Sequence, residues 1–162
     1  RTITLVNTWD LRRRTNRQYG SAKSWKSIKT FKMKVRAISE IENTERDVHC
    51  PHGGFRSLRL LLAKDGMGFS VHKTIIPPGE PQHWHYTQHL EACYCIKGEG
   101  FITNLKTNER FFISPDTIYV LDNHDDHTFQ AVTEVVLISI FNPPVTGQEV
   151  HQADGSYSLQ ND

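Results

Sequence analysis

The sequence predicts an all-β domain built as a closed barrel or jelly roll. From residue 55 onward, the chain is a succession of short segments rich in Val, Ile, Phe, Tyr and Thr, the residues enriched in strands. Gly, Asp, Asn and Pro separate these segments at tight intervals, as turns between strands require. So many short strands in about a hundred residues are typical of a small barrel rather than of an α/β sheet.

Eight strands follow one another in this part of the chain. The predicted strands are Phe55–Ala63, Met67–Pro77, Leu90–Lys97, Phe101–Leu105, Arg110–Ser114, Thr117–Leu121, Thr128–Val132 and Val135–Phe141. Between them, Asp65-Gly66 and Thr107-Asn108 have the composition of hairpin turns.

The segment before these strands carries weaker signals. Lys34–Ala37 predicts a short strand. Ser39 and Glu42 have the spacing of a helix N-cap and its reciprocal glutamate, which predicts a short helix. The stretch 47–54 contains one proline and two glycines and predicts a loop. The barrel is therefore expected to carry one or two short helices.

A basic arm, residues 1–32, precedes the predicted barrel domain, residues 33–162. The arm holds nine Lys or Arg and one acid, a balance of +8, whereas the remainder has a balance of −7. The arm is a targeting remnant, an extension from expression or gene annotation ahead of Met33, or a tail that binds nucleic acid or an anionic surface. We favour the first two interpretations, because aromatic residues of the stacking kind are not interleaved with its charges.

The number of cysteines and the lengths of the apolar runs indicate the cellular location. The three cysteines are odd in number, and Cys93 and Cys95 alternate along one predicted strand, so we expect no paired disulfides and a cytoplasmic, reducing location. No apolar run approaches the length of a membrane span. We therefore expect neither a membrane nor a nucleic acid as partner.

Two clusters of metal-ligand types stand out. The stretch Gly79–Gly98 holds three histidines and Glu91, and the turn 122–127 adds His124 and His127. Imidazole and carboxylate groups bind first-row transition metals. A solvated, histidine-rich hairpin is the alternative. A small barrel would bring the two clusters together, which favours a metal site.

Strand alternation predicts which side chains share the interior. Glu91 faces the same way as Cys93 and Cys95, and a carboxylate beside two small residues fits a strand that lines a cavity. Tyr119 faces the same way as Leu121, although an ordinary barrel tyrosine would do the same.

These clusters resemble the two cupin motifs, and the chain resembles more narrowly the ectoine synthase family. The resemblance covers Met33 to Leu159 and rests on His85-Tyr86, His89–Ile96, Gly98–Gly100, Pro115, Ile118–His127, Thr146-Gly147 and the tail from Glu149 to Tyr157. General cupins match only loosely: His85 and Glu91 are too far apart, and Thr117 takes the usual glycine position.

The resemblance implies a cupin-type barrel enzyme, a hydro-lyase that cyclises N-γ-acetyl-L-2,4-diaminobutyrate to the compatible solute ectoine with loss of water. It implies an Fe(2+) cofactor held by Glu91, Tyr119 and His127, and a homodimer. Tyr86 or His89 would accept the proton, and Arg59 would clamp the substrate carboxylate. The residues implied to contact substrate are Phe55 (where the family has tryptophan), Arg59, Thr74, Tyr86, His89, Leu121, Phe141, Glu149 and His151.

Two other functions stay open at this stage. One is another iron-dependent cupin enzyme, such as a dioxygenase, in which His83 or His85 joins His89 and His127 at the metal. The other is a non-catalytic small-molecule sensor whose basic arm contacts DNA.

Overall fold

The computed structural model describes residues 33–50, 52, 54–149, 151–152 and 155–157, which form ten strands and two short 3-10 turns. The strands are β1 (Asp47–Cys50), β2 (Phe55–Leu61), β3 (Ser70–Ile76), β4 (Gln82–Trp84), β5 (Leu90–Lys97), β6 (Gly100–Asn104), β7 (Arg110–Ile113), β8 (Ile118–Leu121), β9 (His127–Ala131) and β10 (Val135–Asn142). The 3-10 turns are Ile38–Glu40 and Ala63–Asp65. The predicted all-β class is confirmed.

Two antiparallel sheets build the domain. The larger has the strand order β1-β2-β3-β10-β5-β8, and the smaller has the order β4-β9-β6-β7. Inward and outward residues alternate as a half-buried sheet requires: Glu91, Cys93 and Cys95 are all buried along β5. His127 is likewise buried on β9.

All eight predicted strands are present, with ends that differ by a few residues. Both predicted turns also exist: Gly66 has a φ of 77°, and Asn108 has a φ of 59° between β6 and β7. Gly98, at the end of β5, has a φ of 84°, and a Cβ there would lie 2.1 Å from the carbonyl oxygen of Glu134. Only glycine fits this position without moving the backbone.

The predictions for residues 34–54 were wrong in three places. Residues 34–37 form no strand. The short helix is a 3-10 turn whose reciprocal glutamate is Glu40, which accepts from the backbone N–H of Ala37, not Glu42 paired with Ser39. Residues 47–50 form strand β1 instead of a loop, because Arg56 on β2 donates two 2.8 Å hydrogen bonds to the Asp47 carboxylate across the strand pair.

The sequence also missed strand β4. Its three residues pair with β9, with Trp84 opposite His127. On this strand His83 is exposed, whereas Trp84 faces the interior. It is buried, and its ring stacks on Phe129 with 5.8 Å between centroids.

Residues 1–32 lie outside the described residues, so the basic arm and the domain boundary stay predictions. The three cysteines are buried and form no disulfide, as expected. Within the described ranges, no helix has the length and hydropathy needed to cross a membrane.

Candidate metal and substrate site

An interior cavity lies among side chains from both sheets and from the C-terminal segment. The residues that line it are Phe55, His72, Thr74, Trp84, Tyr86, Glu91, Tyr119, Leu137, Ser139, Phe141 and Tyr157. Its free volume is only about 10 Å³, so the lining side chains are packed together. Six of the predicted site residues therefore meet around one small space: Phe55, Thr74, Tyr86, Glu91, Tyr119 and Phe141.

Glu91 is a buried carboxylate with one oxygen left over. Oε1 accepts a hydrogen bond from the thiol of Cys93 at 3.1 Å. Oε2 is buried and has no hydrogen-bond partner among the described residues. Burial raises the pKa of Glu91 to about 7, against the hydrogen bond from the Cys93 thiol that lowers it. An unsatisfied buried carboxylate oxygen is costly, which indicates that a cation or a donor belongs there.

His127 is a buried imidazole with one nitrogen left over. Nδ1 lies 2.8 Å from the carbonyl oxygen of Asp125, and because a carbonyl can only accept, Nδ1 carries the proton. Nε2 therefore holds a lone pair, and it has no partner among the described residues. Burial lowers the pKa of His127, so the ring is neutral. A backbone carbonyl that fixes the tautomer is the usual support for a histidine that binds metal.

Tyr119 stands between the inner cavity and a second, open cavity of about 420 Å³. On β8 it lies opposite Cys93 of β5, so it shares the inner face with Glu91. His127 lines the open cavity with Tyr119, whereas Glu91 lines the inner one. Burial raises the pKa of the Tyr119 phenol well above its ordinary value.

The residues present fit an iron ion. Within the part of the chain that the structure describes, the Glu91 carboxylate and the His127 imidazole each have one buried atom without a partner, and each shares a cavity with Tyr119. Oxygen and nitrogen donors of this kind suit Fe(2+) better than thiolates would. In the described ranges, no group of three or more His, Cys, Asp or Glu side chains is close enough to hold a metal. A three-histidine site of the dioxygenase kind therefore finds no support there.

Comparisons with known proteins show the family of this chain. The ectoine synthase family profile matches residues 33–161. The chain belongs to the ectoine synthase family. An L-ectoine synthase from Marinomonas sp. is 47% identical over 127 residues, 78% of this chain and 98% of that protein. One from Desulfatibacillum aliphaticivorans is 48% identical over 130 residues, 80% of this chain and 100% of that protein.

A solved structure is also similar. The ectoine synthase from P. lautus matches with a TM-score of 0.67 and 41% identity, covering 71% of this chain and 81% of that one. The family resemblance read from the sequence and the cupin-type barrel are both confirmed. The ligand set and the substrate contacts stay predictions, and the structure shows what each of those residues touches.

In this member of the ectoine synthase family, Arg59 binds the C-terminal segment. The side chain is fully buried, and its two terminal nitrogens donate to the carbonyl oxygens of Gly147 and Glu149, both at 2.7 Å. Only Nε lacks a partner among the described residues. The predicted clamp on the substrate carboxylate stays a prediction, and in this structure the guanidinium fork donates to the protein's own backbone.

Glu149 is occupied in a similar way. Its two carboxylate oxygens accept hydrogen bonds from the backbone N–H groups of Thr146 at 2.7 Å and Gly147 at 2.9 Å. These bonds hold the pKa of Glu149 below its ordinary value despite burial. Arg59 and Glu149 together fix the turn that leads into the last described residues.

That segment completes the aromatic wall of the site. Tyr157 stacks on Tyr86 with 4.7 Å between ring centroids, and the His151 ring lies 5.5 Å from Phe55 and 5.8 Å from Tyr86. Phe141 lies edge-on to Tyr86 at 5.5 Å. The predicted contacts Phe55, Tyr86, Phe141 and His151 are therefore neighbours. Tyr157 lies beside them, although no function was predicted for it.

His89 and Leu121 lie at a separate small cavity that Glu91 and Tyr86 also line. Nδ1 of His89 donates to the carbonyl oxygen of Pro143 at 2.7 Å, so Nε2 holds the lone pair. Among the described residues, then, the structure places all the predicted site residues at or beside these adjoining cavities, except that Arg59 and Glu149 hold the C-terminal segment.

His72 and Ser139 are further cavity residues to which the sequence assigned no secure function. His72 is buried, its Nδ1 lies 3.2 Å from Ser57 Oγ, and its Nε2 has no partner in the described part of the chain. Burial, and then the positive charge of Arg59, lower the pKa of His72 to about 3. The alternation of β3, which buries His72 with Thr74, was the signal available for it.

Proposed function

We propose that this chain catalyses the cyclisation that names its family, closing N-γ-acetyl-L-2,4-diaminobutyrate to ectoine with loss of water. The observation that carries the proposal is the family match over residues 33–161, together with two adjoining cavities, one lined by Glu91 and the other by His127. Each of these two residues has one buried atom without a partner among the described residues. In the reaction, the α-nitrogen forms a bond to the acetamide carbon. The carbon–oxygen bond breaks, and the oxygen leaves as water with two nitrogen-bound hydrogens.

An Fe(2+) ion held by Glu91, Tyr119 and His127 is part of this proposal. When bound, it would supply a Lewis acid for the acetamide oxygen, since an amide carbonyl is a poor electrophile. The protein's contribution is the donor set itself: Cys93 holds one oxygen of Glu91, and the Asp125 carbonyl holds the His127 ring in the tautomer that presents Nε2.

The cavity wall would fold the flexible substrate into its reactive shape. When the amine is held close to the acetamide carbon, the entropy that ring closure requires is lost at binding. The activation barrier of the reaction step is therefore lower. The rings of Tyr86, Phe141 and Tyr157 form an apolar wall that limits access of bulk water to the product. Because the inner cavity has so little free volume, substrate entry requires movement of these side chains.

His89 is the better proton acceptor of the two predicted. Its Nε2 lone pair is available because Nδ1 donates to Pro143, and the ring is only half-buried, so a proton can pass on to solvent. Burial raises the pKa of Tyr86 well above its ordinary value, which keeps the phenol protonated and makes it a hydrogen-bond donor.

A turnover assay tests the proposal. Anaerobically iron-loaded protein, with and without residues 1–32, is expected to convert N-γ-acetyl-L-2,4-diaminobutyrate to ectoine. The ectoine formed is measured by chromatography. Glu91→Ala is expected to lose both iron and turnover, whereas Glu80→Ala, an exposed residue, serves as the matched control. A folded, iron-filled protein that leaves the compound unchanged would refute the proposed activity.

We further propose a homodimer in the cytoplasm. The outer face of the β5–β8 edge is apolar: Ile118 and Val120 are 59% and 55% exposed, and Tyr94 lies opposite Ile118. An exposed apolar edge of this kind is a natural self-association surface. Val120→Lys is expected to give monomers in sedimentation analysis, and an unchanged dimer would argue for another interface.

A further inference from the structure

The carboxylate of Glu91 is joined to Thr74 by a buried chain of hydrogen bonds through Cys93 and Ser139. Cys93 Sγ lies 3.1 Å from Glu91 Oε1 and 3.2 Å from Ser139 Oγ. Ser139 Oγ lies 3.0 Å from Thr74 Oγ1. All four side chains are buried, and they lie on three adjacent strands, β3, β10 and β5. We name this set of four residues the relay.

The donor and acceptor at each hydrogen bond of the relay follow from the charge of Glu91 at one end. A carboxylate that binds a metal is ionised and can only accept, so the Cys93 thiol must donate to it. With its single hydrogen used, the sulfur can only accept from Ser139. The Ser139 hydroxyl, having donated, can only accept from Thr74. Each donor choice thus forces the next one along the chain.

We propose that Cys93 is a positioning residue of the metal and substrate site. Its thiol fixes Glu91 Oε1, leaves Oε2 for the metal, and through Ser139 turns the hydroxyl of Thr74 into an acceptor toward the cavity. Within the proposed function, an acceptor at Thr74 suits the N–H groups of the substrate amine, because holding them leaves the nitrogen lone pair free to attack. This inference rests on the proposed function for its substrate, but not for its hydrogen bonds.

Cys95 provides a matched control two residues along the same strand. It is also fully buried and faces the same way, but its thiol lies 3.4 Å from the carbonyl oxygen of Lys97 and is not part of the relay. Removing either thiol leaves a similar small void. Any loss common to both variants therefore reports packing, and a loss seen only at Cys93 reports the relay.

Iron affinity is the first readout. Cys93→Ala is expected to bind iron about tenfold more weakly, as is usual when a group supporting a metal ligand is removed. Cys93→Ser, which restores a donor, is expected to stay within about threefold of the natural protein, and Cys95→Ala to match it. Equal affinity in Cys93→Ala and the natural protein, or no rescue by serine, would overturn the inference.

The hydrogen bond itself is measured without metal or substrate. The S–H stretching band of Cys93, isolated by subtracting the infrared spectrum of Cys93→Ala, is expected at a lower wavenumber than the band of Cys95. At pH 9, where Glu91 is ionised, Glu91→Gln should raise the wavenumber of this band, because an amide oxygen is a weaker acceptor than a carboxylate. A Cys93 band that is unmoved by Glu91→Gln would refute donation to Glu91.

A turnover assay distinguishes failure of the proposed reaction from failure of the proposed relay. If the natural protein cyclises the substrate, Thr74→Val is expected to raise KM and lower kcat more than Thr74→Ser does. If the natural protein does not cyclise it, the proposed function fails, while the infrared result still decides whether the relay exists.

Discussion

The buried carboxylate of Glu91 predicts an unusual dependence of stability on pH in the metal-free protein. Burial raises its pKa from 4.5 to about 7 in the folded state. Below pH 4.5 the group is protonated in both states and has no effect. Between pH 4.5 and 7 the unfolded chain loses this proton first, so rising pH favours unfolding. At 1.36 kcal/mol per pKa unit, the destabilisation reaches about 3 kcal/mol above pH 7.

Glu91→Gln removes this titration while keeping the size of the side chain. Urea unfolding of the metal-stripped natural protein and the variant, measured from pH 4 to pH 9, gives the difference in unfolding free energy at each pH. Every other group titrates in both proteins and cancels. The natural protein is expected to lose about 3 kcal/mol relative to the variant across this range. A difference that stays flat with pH would refute the buried, unsatisfied state of Glu91.

Four further predictions concern other groups of the site and fold. The pKa of His72 is about 3 in the folded state and 6.5 in the unfolded chain, so below pH 6.5 the unfolded chain binds a proton that the folded protein does not, and acid favours unfolding. His72→Asn is therefore expected to remove about 3 kcal/mol of this destabilisation at pH 4, measured by urea unfolding. Arg59→Met, which deletes two hydrogen bonds to the C-terminal segment, is expected to cost about 3 kcal/mol and to speed proteolysis of that segment; unchanged cleavage would contradict it. Gly98→Ala is expected to destabilise by about 2–4 kcal/mol in thermal unfolding, whereas Gly79→Ala, with open space around it, serves as control. Iron binding is expected to release about two protons below pH 7, one from Glu91 and one from Tyr119, and about one proton above pH 7, from Tyr119. Calorimetry in buffers of different ionisation enthalpy measures these counts, and Tyr119→Phe should lower each count by one.

The sequence was most informative about features that depend on a single strand, such as the face on which a side chain lies. Alternation along β5 correctly placed Glu91 on the same face as Cys93 and Cys95, and all three are buried. That prediction needs only the two-residue period of a strand. Strand β4 was missed because it is three residues long and depends on pairing with β9, which no local pattern contains.

Arg59 shows the same limit for chemistry. A guanidinium in a polar cavity fits a substrate carboxylate, and nothing near residue 59 in the sequence argues otherwise. What no local pattern could predict is its pair of hydrogen bonds to carbonyl oxygens 88 and 90 residues away, in a segment whose return to the barrel only the folded structure shows. The relay was missed for a related reason: Cys93 was read as a small residue, and its contact with Ser139 spans two strands.

The division of the proposed ligands between sheets has a physical consequence. Glu91 and Tyr119 belong to the six-stranded sheet, whereas His127 belongs to the four-stranded sheet, and Tyr119 borders the cavity that each of the others lines. An ion bound by all three would join the two sheets at the site, and its binding energy would add directly to the stability of their packing. Because Glu91 Oε2 and His127 Nε2 are buried without a partner among the described residues, the proposed ion would pair two atoms whose burial otherwise destabilises the barrel.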